Sequence, residues 1–495
     1  LHESTEYQEW RKIRMKHGVY IQEQGTALTA PIVGKASVQV VIGTAPVHMA
    51  EDPDAVVNVP VLANSAAEAM AALGYTDDFQ NFTLCQTMYA TSNIFQVSPV
   101  VYINVLDPKK HNKEMETNSV NTELLQARVP EKGIIPSMLT VTNNETALEA
   151  GKDYTTEFDT DGTLIINLIK GGKGENAQTL TLAGKVVDPS VITKTDIIGS
   201  YNVATGAETG MELIRQVYPK LGIVPGLLLA PGWSQMPEVG IALAAKAANI
   251  NGVFKAMALV DLDTAEATKY TDCKEVKENS GYTSEFCYPS WLSYKVGDYI
   301  LAGSAVNAAL IAYTDANNDD VPSMSPSNKL LGVTGTCLAD GTEVNLDQDQ
   351  ANTVNSYGVA TAMNMNGWKL WGNYTGAYPS STDAKDIWLP VRRMFNWQGN
   401  TFIQSYFDKV DDPMNSILIE SVVDSENIRC AAYAPDKWAG ATIQYLKSDN
   451  PDTDVLAGKM TFRQSIAPYT PAQEINNILS YDIAMLSNAL TGGES

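Results

Sequence analysis

The chain has 495 residues, with 34 Lys and Arg against 57 Asp and Glu, so its formal net charge is −23 at pH 7. This length is typical of about three domains, and a composition of 44% hydrophobic and 18% charged residues excludes a disordered chain. The acidic balance argues against direct binding to nucleic acid or to an anionic membrane surface, since both require clustered Lys and Arg.

Histidine is scarce, and this limits the chemistry available to the chain. The four histidines are His2, His17, His48 and His111. A Ser-His-Asp triad needs a histidine within reach of the serine, and the neighbours of His17 and His48 carry no motif. No GxSxG, CxxC or HExxH segment occurs. We therefore predict no catalytic residues, no metal site and no cofactor.

The five cysteines are an odd, sparse set that does not indicate a disulfide framework. We expect reduced, buried thiols, as in a cytosolic protein, although Cys273 and Cys287 are close enough in sequence to pair. The first residues are charged and lack the apolar run of a signal peptide. Residues 299–314 form the longest charge-free apolar stretch. This stretch is shorter than the roughly 18–20 residues of a membrane span, so a buried core helix is expected there.

The first hundred residues alternate between predicted strands and a helix. A short strand is predicted at residues 18–24, and a strand buried on both faces at residues 35–46. Residues 65–74 have the signals of a helix, with Ser65 at the N-cap and a glycine at the end. Another buried strand is predicted at residues 100–105. This alternation indicates an α/β layer with a largely parallel sheet.

The composition changes at about residue 107. From there to about residue 189 the chain is rich in Thr, Asn, Gly and charged residues. Short strands are predicted at residues 138–142, 162–169 and 179–186, separated by turn clusters. Regular short strands with such turns indicate a small β-sandwich, inserted into the α/β part.

The alternation of strands and helices resumes after this segment. A helix is predicted at residues 207–218, a buried strand and loop at 223–232, a helix opened by proline at 237–250, and a strand at 254–262. The last three form a βαβ unit, in which the two strands are expected to be parallel.

Two motifs resemble ligand-binding loops without matching them. The glycine-rich residues 170–176 lack the GxxxxGK[ST] pattern of a phosphate-binding loop, so a hairpin turn is expected. Residues 315–320 begin like a calcium loop, but Asp320 stands where an EF-hand needs glycine and Pro326 where it needs glutamate. A solvated acidic turn is expected instead.

The final part begins near residue 386. Helices are predicted at residues 387–410 and 413–430, the second of them amphipathic. Strands are predicted at residues 441–447 and 459–468, the latter with period-two alternation. Residues 474–486 fit a strand or a helix by pattern, and we favour a strand.

The later segments of the chain carry specific motifs. A Ser-Pro-x-Asn sequence at residues 325–328 leads into a glycine-containing strand, and an Asn-rich helix and a Trp-Gly strand follow at residues 351–375. With these motifs in this order, the chain resembles contractile tail sheath proteins of contractile bacteriophages, tail-like bacteriocins and related injection systems. The segments that carry the resemblance are residues 17–24, 37–46, 148–168, 227–247, 325–335, 351–375, 391–406 and 450–475.

The resemblance implies a fold class. It implies an α/β protein with a subtilisin-like, catalytically inert central domain, an inserted small β-sandwich, and an α+β C-terminal domain with terminal exchange strands. The implied divisions are an N-terminal arm (1–24), the α/β domain in two parts (25–106 and 191–385), the sandwich (107–190), a tube-facing C-terminal domain (386–473) and a C-terminal arm (474–495).

The resemblance also implies a structural, non-enzymatic function. Hexameric rings of the chain would stack into a helical sheath around an inner tail tube, with baseplate and tail terminator proteins at the two ends. Contraction would drive the tube through a target cell envelope. Such a sheath is assembled in the bacterial cytoplasm and becomes part of a released particle, without direct contact to nucleic acid and without membrane insertion. Phage tail, bacteriocin and injection system are equally compatible with the sequence.

Strand-like chain ends can pair with a neighbouring subunit's sheet. The alternative is that both ends pair within their own subunit. The predicted subunit-linking residues are Val19, Tyr20, Ile21, Phe462, Gln464, Ile466, Ile475, Ile478, Tyr481 and Ile483.

The predicted inner-tube contacts are Glu420, Asp424, Arg429 and Lys437. Arg392 and Arg393 are compatible either with charges on a helix surface or with ion pairs. Two other functional classes stay open at this point. One is a hydrolase on a subtilisin-like scaffold with a mechanism that uses no histidine, and the other is a monomeric surface-binding module.

Overall fold

The protein has a mixed α/β fold with several sheets. The computed structural model describes residues 35–159 and 161–490, so the strand predicted at residues 18–24 lies outside the described residues. In this described part, every helix is too short or too polar to cross a membrane.

The first elements belong to a buried α/β layer. Strands β1 and β3 are buried at every position, as the two predictions of strands buried on both faces require. The predicted helix at residues 65–74 is confirmed, since the Ser65 side chain accepts a hydrogen bond from the Glu68 N–H at 3.2 Å. The elements are β1 (Gln39–Gly43), β2 (Pro60–Ala63), α1 (Ala66–Leu73), α2 (Leu84–Tyr89) and β3 (Val100–Asn104).

Nine short strands follow. They form a three-stranded sheet in the order β6-β10-β9, a four-stranded sheet in the order β5-β11-β7-β8, and a β12-β4 pair. Val129, Val141, Leu164 and Leu180 form part of a hydrophobic cluster separate from the main core. The strands are β4 (Asn112–Glu114), β5 (Ser119–Asn121), β6 (Gln126–Lys132), β7 (Thr140–Asn143), β8 (Thr146–Ala147), β9 (Tyr154–Phe158), β10 (Thr163–Leu168), β11 (Thr179–Ala183) and β12 (Lys185–Val187).

The glycine-rich residues 170–176 form a turn, but the predicted hairpin is wrong. The strand before them, β10, pairs with β6 and β9, whereas the strand after them, β11, pairs with β5 and β7. The turn therefore carries the chain from one sheet to another, and the local sequence cannot show this because it does not specify pairing partners.

The chain then returns to the α/β layer and completes a six-stranded sheet. Its order is β15-β14-β13-β1-β3-β2, with β2 antiparallel and the other strands parallel. The predicted βαβ unit is confirmed as β13, α5 and β14, since β13 and β14 pair in parallel. The elements are α3 (Lys194–Ile198), α4 (Ile214–Leu221), β13 (Leu227–Leu229), α5 (Pro237–Ala248), β14 (Met257–Asp261), α6 (Cys273–Ser280) and β15 (Cys287–Ser290).

The apolar stretch at residues 299–314 is divided between two elements. Its first three residues form strand β17, and helix α7 begins only at Gly303, with nearly every residue buried. The predicted buried helix is therefore confirmed for most of the stretch. The elements of this region are β16 (Ser293–Val296), β17 (Tyr299–Leu301), α7 (Gly303–Ala316), β18 (Gly335–Cys337), α8 (Gln348–Ser356), β19 (Thr361–Asn364) and β20 (Trp368–Trp371).

The C-terminal part packs two helices against a two-stranded sheet. Both predicted helices and the alternating strand are confirmed, with shifted ends. Residues 474–486 do not form a strand: residues 474–482 have no regular structure, and a helix begins at Ile483. The elements are α9 (Ala384–Ile387), α10 (Leu389–Tyr406), α11 (Ser416–Ala432), β21 (Trp438–Tyr445), α12 (Asp452–Leu456), β22 (Phe462–Pro468) and α13 (Ile483–Leu490).

All five cysteines are buried and free, as expected. Cys273 and Cys287 do not pair. Burial raises the pKa of the Cys287 thiol to about 12, so this thiol is neutral and unreactive at ordinary pH.

His48 is buried between aromatic rings. Its ring centroid lies 6.0 Å from that of Phe82 and 5.6 Å from that of Phe158, at the end of β9. Its Nδ1 has no hydrogen-bond partner among the residues that the structure describes. Burial lowers the pKa of His48 from 6.5 to about 3, because a charged imidazole would lose its hydration there.

Acidification is expected to destabilise the folded chain through His48. Between pH 6.5 and pH 3 the unfolded state binds a proton at this residue and the folded state does not, so the free energy of unfolding falls as pH falls. The expected loss is about 2 kcal/mol by pH 5. Thermal midpoints of the wild type and of His48→Leu at pH 8 and pH 5 measure it. The variant should lose less stability on acidification, and equal losses in both proteins would contradict the prediction.

Candidate assembly surfaces

A buried carboxylate at the carboxyl end of β14 gathers several serines. Asp261 accepts hydrogen bonds from the hydroxyls of Ser234 at 3.2 Å and Ser290 at 3.1 Å, and from the Ser304 N–H at 2.7 Å. Burial raises the pKa of the Asp261 carboxyl, although these hydrogen bonds act in the opposite direction. The serines come from the loop after β13, from β15 and from the start of α7, so Asp261 joins these elements.

This cluster occupies the edge of the sheet where α/β proteins place ligands. The three serines, however, are buried. A substrate cannot reach these hydroxyls in this arrangement. His48 lies elsewhere, between Phe82 and Phe158. The geometry of this cluster therefore fits a structural role, in which Asp261 holds neighbouring elements together, better than the role of a catalytic nucleophile with its general base.

The two-stranded sheet at the C-terminal end has an open edge. Strand β22 pairs with β21 in antiparallel register, and among the described residues it has no other partner strand. An unpaired edge presents a row of main-chain N–H and C=O groups that can accept a further strand. The structure therefore offers a main-chain docking edge at residues 462–468.

The predicted linking residues of β22 share one face of that strand. Gln464 donates hydrogen bonds from Nε2 to Glu426 at 2.8 Å. The ring of Phe462 lies 6.4 Å from that of Phe402 on α10. Ile466 packs against the cluster that contains Trp397. These three side chains hold β22 on its helices, which leaves its main-chain edge available.

The segment after β22 is exposed and rich in apolar residues. Ile475 is 86% exposed and Ile478 is 92% exposed, and Tyr481 and Ile483 are similarly exposed. Large apolar side chains in such numbers are typical of a surface that another protein covers. Ile483 differs from the prediction because it opens helix α13 instead of continuing a strand. Val19, Tyr20 and Ile21 lie outside the described residues.

Helix α11 presents a separate outer face. Ile417, Glu420, Asp424 and Ile428 are exposed at spacings of three or four residues, so they form one stripe. The side chains of Leu418 and Val422 point the other way, into a small cluster with Tyr406. Two of the four predicted tube contacts, Glu420 and Asp424, therefore lie on an accessible surface.

The other two predicted tube contacts are buried, contrary to the expectation of surface charges. Arg429 donates from Nε to Glu426 at 3.1 Å, and its guanidinium also bonds Gln398. Burial by itself would raise the pKa of the Glu426 carboxyl. The charge of Arg429 and the hydrogen bonds from Arg429, Gln464 and Gln398 have a larger combined effect, so the pKa of Glu426 is lowered overall. Arg429 is therefore used inside the subunit. The sequence does carry a signal for this ion pair, because Glu426 lies three residues before Arg429 on the same predicted helix.

Lys437 is buried for a similar reason. Its Nζ donates to Asn318 Oδ1 at 2.7 Å and forms ion pairs with Asp319 at 3.0 Å and Asp436 at 2.9 Å. Two of these partners lie more than a hundred residues earlier in the chain. Sequence spacing could not have shown them.

The two arginines at the start of α10 form ion pairs within the chain. Arg393 and Asp315 are both buried, and Arg393 Nη1 lies 3.2 Å from Asp315 Oδ1. Arg392 lies 3.3 Å from Asp386. The alternative of ion pairs is therefore confirmed, and the expectation of a solvated acidic turn at residues 315–320 is wrong for Asp315, which is buried in the last turn of helix α7.

The chain is similar to contractile sheath proteins in sequence and in fold. No family model matches it. The tail sheath protein of Burkholderia phage BcepMu is 28% identical over 424 residues, which cover 83% of this chain and 85% of the relative. The contracted helical sheath of the anti-feeding prophage matches with a TM-score of 0.57 at 13% identity, over 95% of this chain and 100% of the other. The contracted sheath of an extracellular contractile injection system, PVC, matches with a TM-score of 0.56 at 13% identity, over 96% and 99%.

Proposed function

We infer that this chain is the structural subunit of a contractile tail sheath, which polymerises around an inner tube and contracts to drive that tube through a target cell envelope. The observation that carries this inference is the similarity to the BcepMu tail sheath protein over 83% of the chain. The shared fold and the exposed apolar segment beside an open sheet edge support it. These relatives give no support to a hydrolase.

The finer features of the fold belong to the same proposal. The six-stranded sheet with its helices would be a subtilisin-like domain without catalysis, formed by residues 25–106 and 191–385. Residues 107–190 would be the inserted sandwich, and residues 386–473 the domain that faces the tube. A fold that hosts hydrolysis elsewhere can serve a structural role, because function depends on the site.

Subunits would be linked by exchanged strands. Residues 18–24 of one copy and residues 474–482 of another would extend the sheet of β21 and β22 in a third. Main-chain hydrogen bonds along such a strand are independent of side-chain packing between domains. The links could therefore persist while whole subunits rotate as rigid bodies during contraction.

The partners follow from this arrangement. Hexameric rings would stack into the sheath, the tail tube protein would lie inside, and baseplate and terminator proteins would close the ends. The sheath would be assembled in the bacterial cytoplasm and become part of a released particle. The charge of −23 repeats at every subunit. Much of it should face solvent, keeping the assembly soluble and away from nucleic acid.

Reversing the charges on the outer face of α11 is expected to weaken binding of the inner tube. Glu420→Lys with Asp424→Lys inverts the only acidic pair on that exposed stripe. Because both side chains are exposed, the thermal midpoint of the subunit should not change. Co-sedimentation of sheath with tube measures the effect.

Glu123→Lys with Glu145→Lys is the matched control, since both residues are exposed in the connections between strands, Glu123 between β5 and β6 and Glu145 between β7 and β8. This control should retain the tube. Equal tube binding by both double variants would count against a tube contact on α11.

Electron microscopy of the purified protein, alone and with its tube protein, tests the proposed function. Helical tubes of sheath dimensions are expected, together with no labelling by a covalent serine probe. A single small species in light scattering would favour a monomeric binding module, and a labelled monomer would favour a hydrolase. A capsid on the native particle would distinguish a phage tail from a headless device.

A further inference from the structure

The chain that follows strand β22 crosses the surface of the subunit before it projects from it. Strand β22 packs on the C-terminal helices, where Gln464 bonds Gln398 of α10 and Glu426 of α11. Residues 469–476 then line a groove together with helix α8 and strand β20, through Asn352 and Trp371 among others. The tail therefore passes from the C-terminal helices to a different part of the fold.

Two side-chain contacts hold this crossing in place. The hydroxyl of Tyr469 donates a hydrogen bond to the Pro435 carbonyl at 2.9 Å. Four residues later, the side chain of Gln473 is hydrogen-bonded to the hydroxyl of Tyr374, which lies between β20 and α9. The two contacts lie at the beginning and the end of residues 469–473, a stretch that we call the arm root. The arm root is thus joined to two separate parts of the folded subunit.

Tyr374 is a firmly held point of attachment. Its ring stacks on that of Tyr378, with the centroids 3.8 Å apart, and lies 4.7 Å from the ring of Trp388, directly before α10. The buried Lys277 of α6 donates a hydrogen bond to the Tyr378 carbonyl at 2.6 Å. This bond ties the loop that carries Tyr374 to a helix of the interior. A tail that bonds Tyr374 is therefore fixed relative to the core of the subunit.

The chain beyond the arm root has a different character. Asn476 donates from Nδ2 to Glu474 at 2.8 Å, which is a bond within the tail itself. Ile478 is 92% exposed, and residues 474–482 have no regular structure. The contact of Gln473 with Tyr374 therefore marks the change from a held tail to a projecting one.

We propose that residues 469–473 are a seated root of the C-terminal arm, which fixes where the arm leaves the subunit and where its linking strand begins. Five extended residues span about 17 Å. Seating removes this length from the reach of the arm, so the link to a neighbouring subunit starts at residue 474. Tyr469, Gln473 and Tyr374 are then positioning residues, which set the length and direction of the link. Their role in linking rests on the proposed strand exchange, whereas the seating itself does not.

Nitroxide spin labels on the isolated, full-length subunit test the seating. The five native cysteines are buried, so the label attaches to one introduced cysteine, either Ala472→Cys in the arm root or Ile478→Cys beyond it. The protein is kept dilute so that it does not assemble. The electron paramagnetic resonance spectrum should show mainly slow motion at position 472 and mainly fast motion at position 478. Equal mobility at the two positions would overturn the proposal.

Removal of two hydroxyls should release the arm root. Tyr469→Phe and Tyr374→Phe each delete one hydrogen bond and keep the aromatic ring. Each change should raise the ratio of fast to slow label at position 472 about two- to tenfold, which corresponds to the usual net contribution of one hydrogen bond. Asn476→Ala is the matched control, because its bond lies within the tail, and it should leave this ratio unchanged. The thermal midpoint of each variant shows whether the subunit remains folded.

An unchanged ratio in the folded Tyr469→Phe, Tyr374→Phe double variant would overturn the seating, and so would an equal rise in the control. Electron microscopy of the same double variant tests the positioning role. Its arms would be about 17 Å longer and free in direction, so its tubes should show a wider spread of subunit spacings than wild-type tubes. Tubes with the uniform spacing of the wild type would overturn the positioning role. Failure of the wild type to form tubes would refute the proposed function and this role with it, but not the seating.

Discussion

Removal of residues 474–495 is expected to leave a folded subunit that no longer forms tubes. All described residues from 474 to 490 are exposed, so their loss removes little buried apolar surface. The thermal midpoint should therefore stay close to that of the full chain. Assembly should be lost because the neighbouring sheet would no longer receive its added strand. Calorimetry and negative-stain microscopy of the same preparation measure the two effects.

A full-length variant distinguishes the main chain from the side chains of this segment. Ile475→Ser, Ile478→Ser and Tyr481→Ser together keep the strand but remove its apolar anchors, so tubes should form less readily without being abolished. Deletion of residues 1–24 should act like the C-terminal deletion. Normal tubes from either deletion variant would refute linkage of subunits through that arm.

Arg393→Met is expected to destabilise the subunit by about 3–5 kcal/mol, because it leaves the buried Asp315 carboxylate without its cation. Replacing both partners, with Asp315→Leu added, should recover much of the loss, since no buried charge then remains. Denaturation midpoints of the single and double variants measure the coupling. A double variant as unstable as the sum of its single changes would contradict this account.

Arg463→Met is the matched control for this prediction. Arg463 pairs with Asp449 at 2.8 Å, but its side chain is 65% exposed. Solvent screens such a pair, so the expected loss is at most about 1 kcal/mol. Equal losses for Arg393→Met and Arg463→Met would show that burial is not the cause.

The Arg393 pair also has a consequence for the proposed contraction. Arg393 joins α10 to the end of α7, and Asn396 on the same helix donates to the Ala256 carbonyl at 3.1 Å. Gln398 of α10 bonds Gln464 on β22 at 2.8 Å. Force applied to a strand paired with β22 would reach the central sheet through this helix. Variants that weaken the Arg393 pair should therefore assemble but contract incompletely.

The candidate assembly surfaces could be predicted from the sequence only in part, for a physical reason. The alternating pattern of β22 and the apolar residues after it were visible in the sequence, because burial repeats every two residues along a strand. The burial of Arg429 and Lys437 was not, because it depends on Gln398, Asn318 and Asp319, which approach only in the folded chain. The helix that begins at Ile483 also escaped prediction, since its pattern fitted either structure.

The sequence by itself determined the buried strands, most helices and the resemblance to sheath proteins. Hydrophobic periodicity and caps such as Ser65 are local, so they can be read without knowing the partners of each element. Tertiary structure alone decided which strands pair: β1 lies beside β13, nearly two hundred residues away, and β10 and β11 enter different sheets. The tertiary structure also decided which charged side chains are buried inside the subunit. Pairing and charge burial depend on contacts between distant residues, and these exist only once the chain has folded.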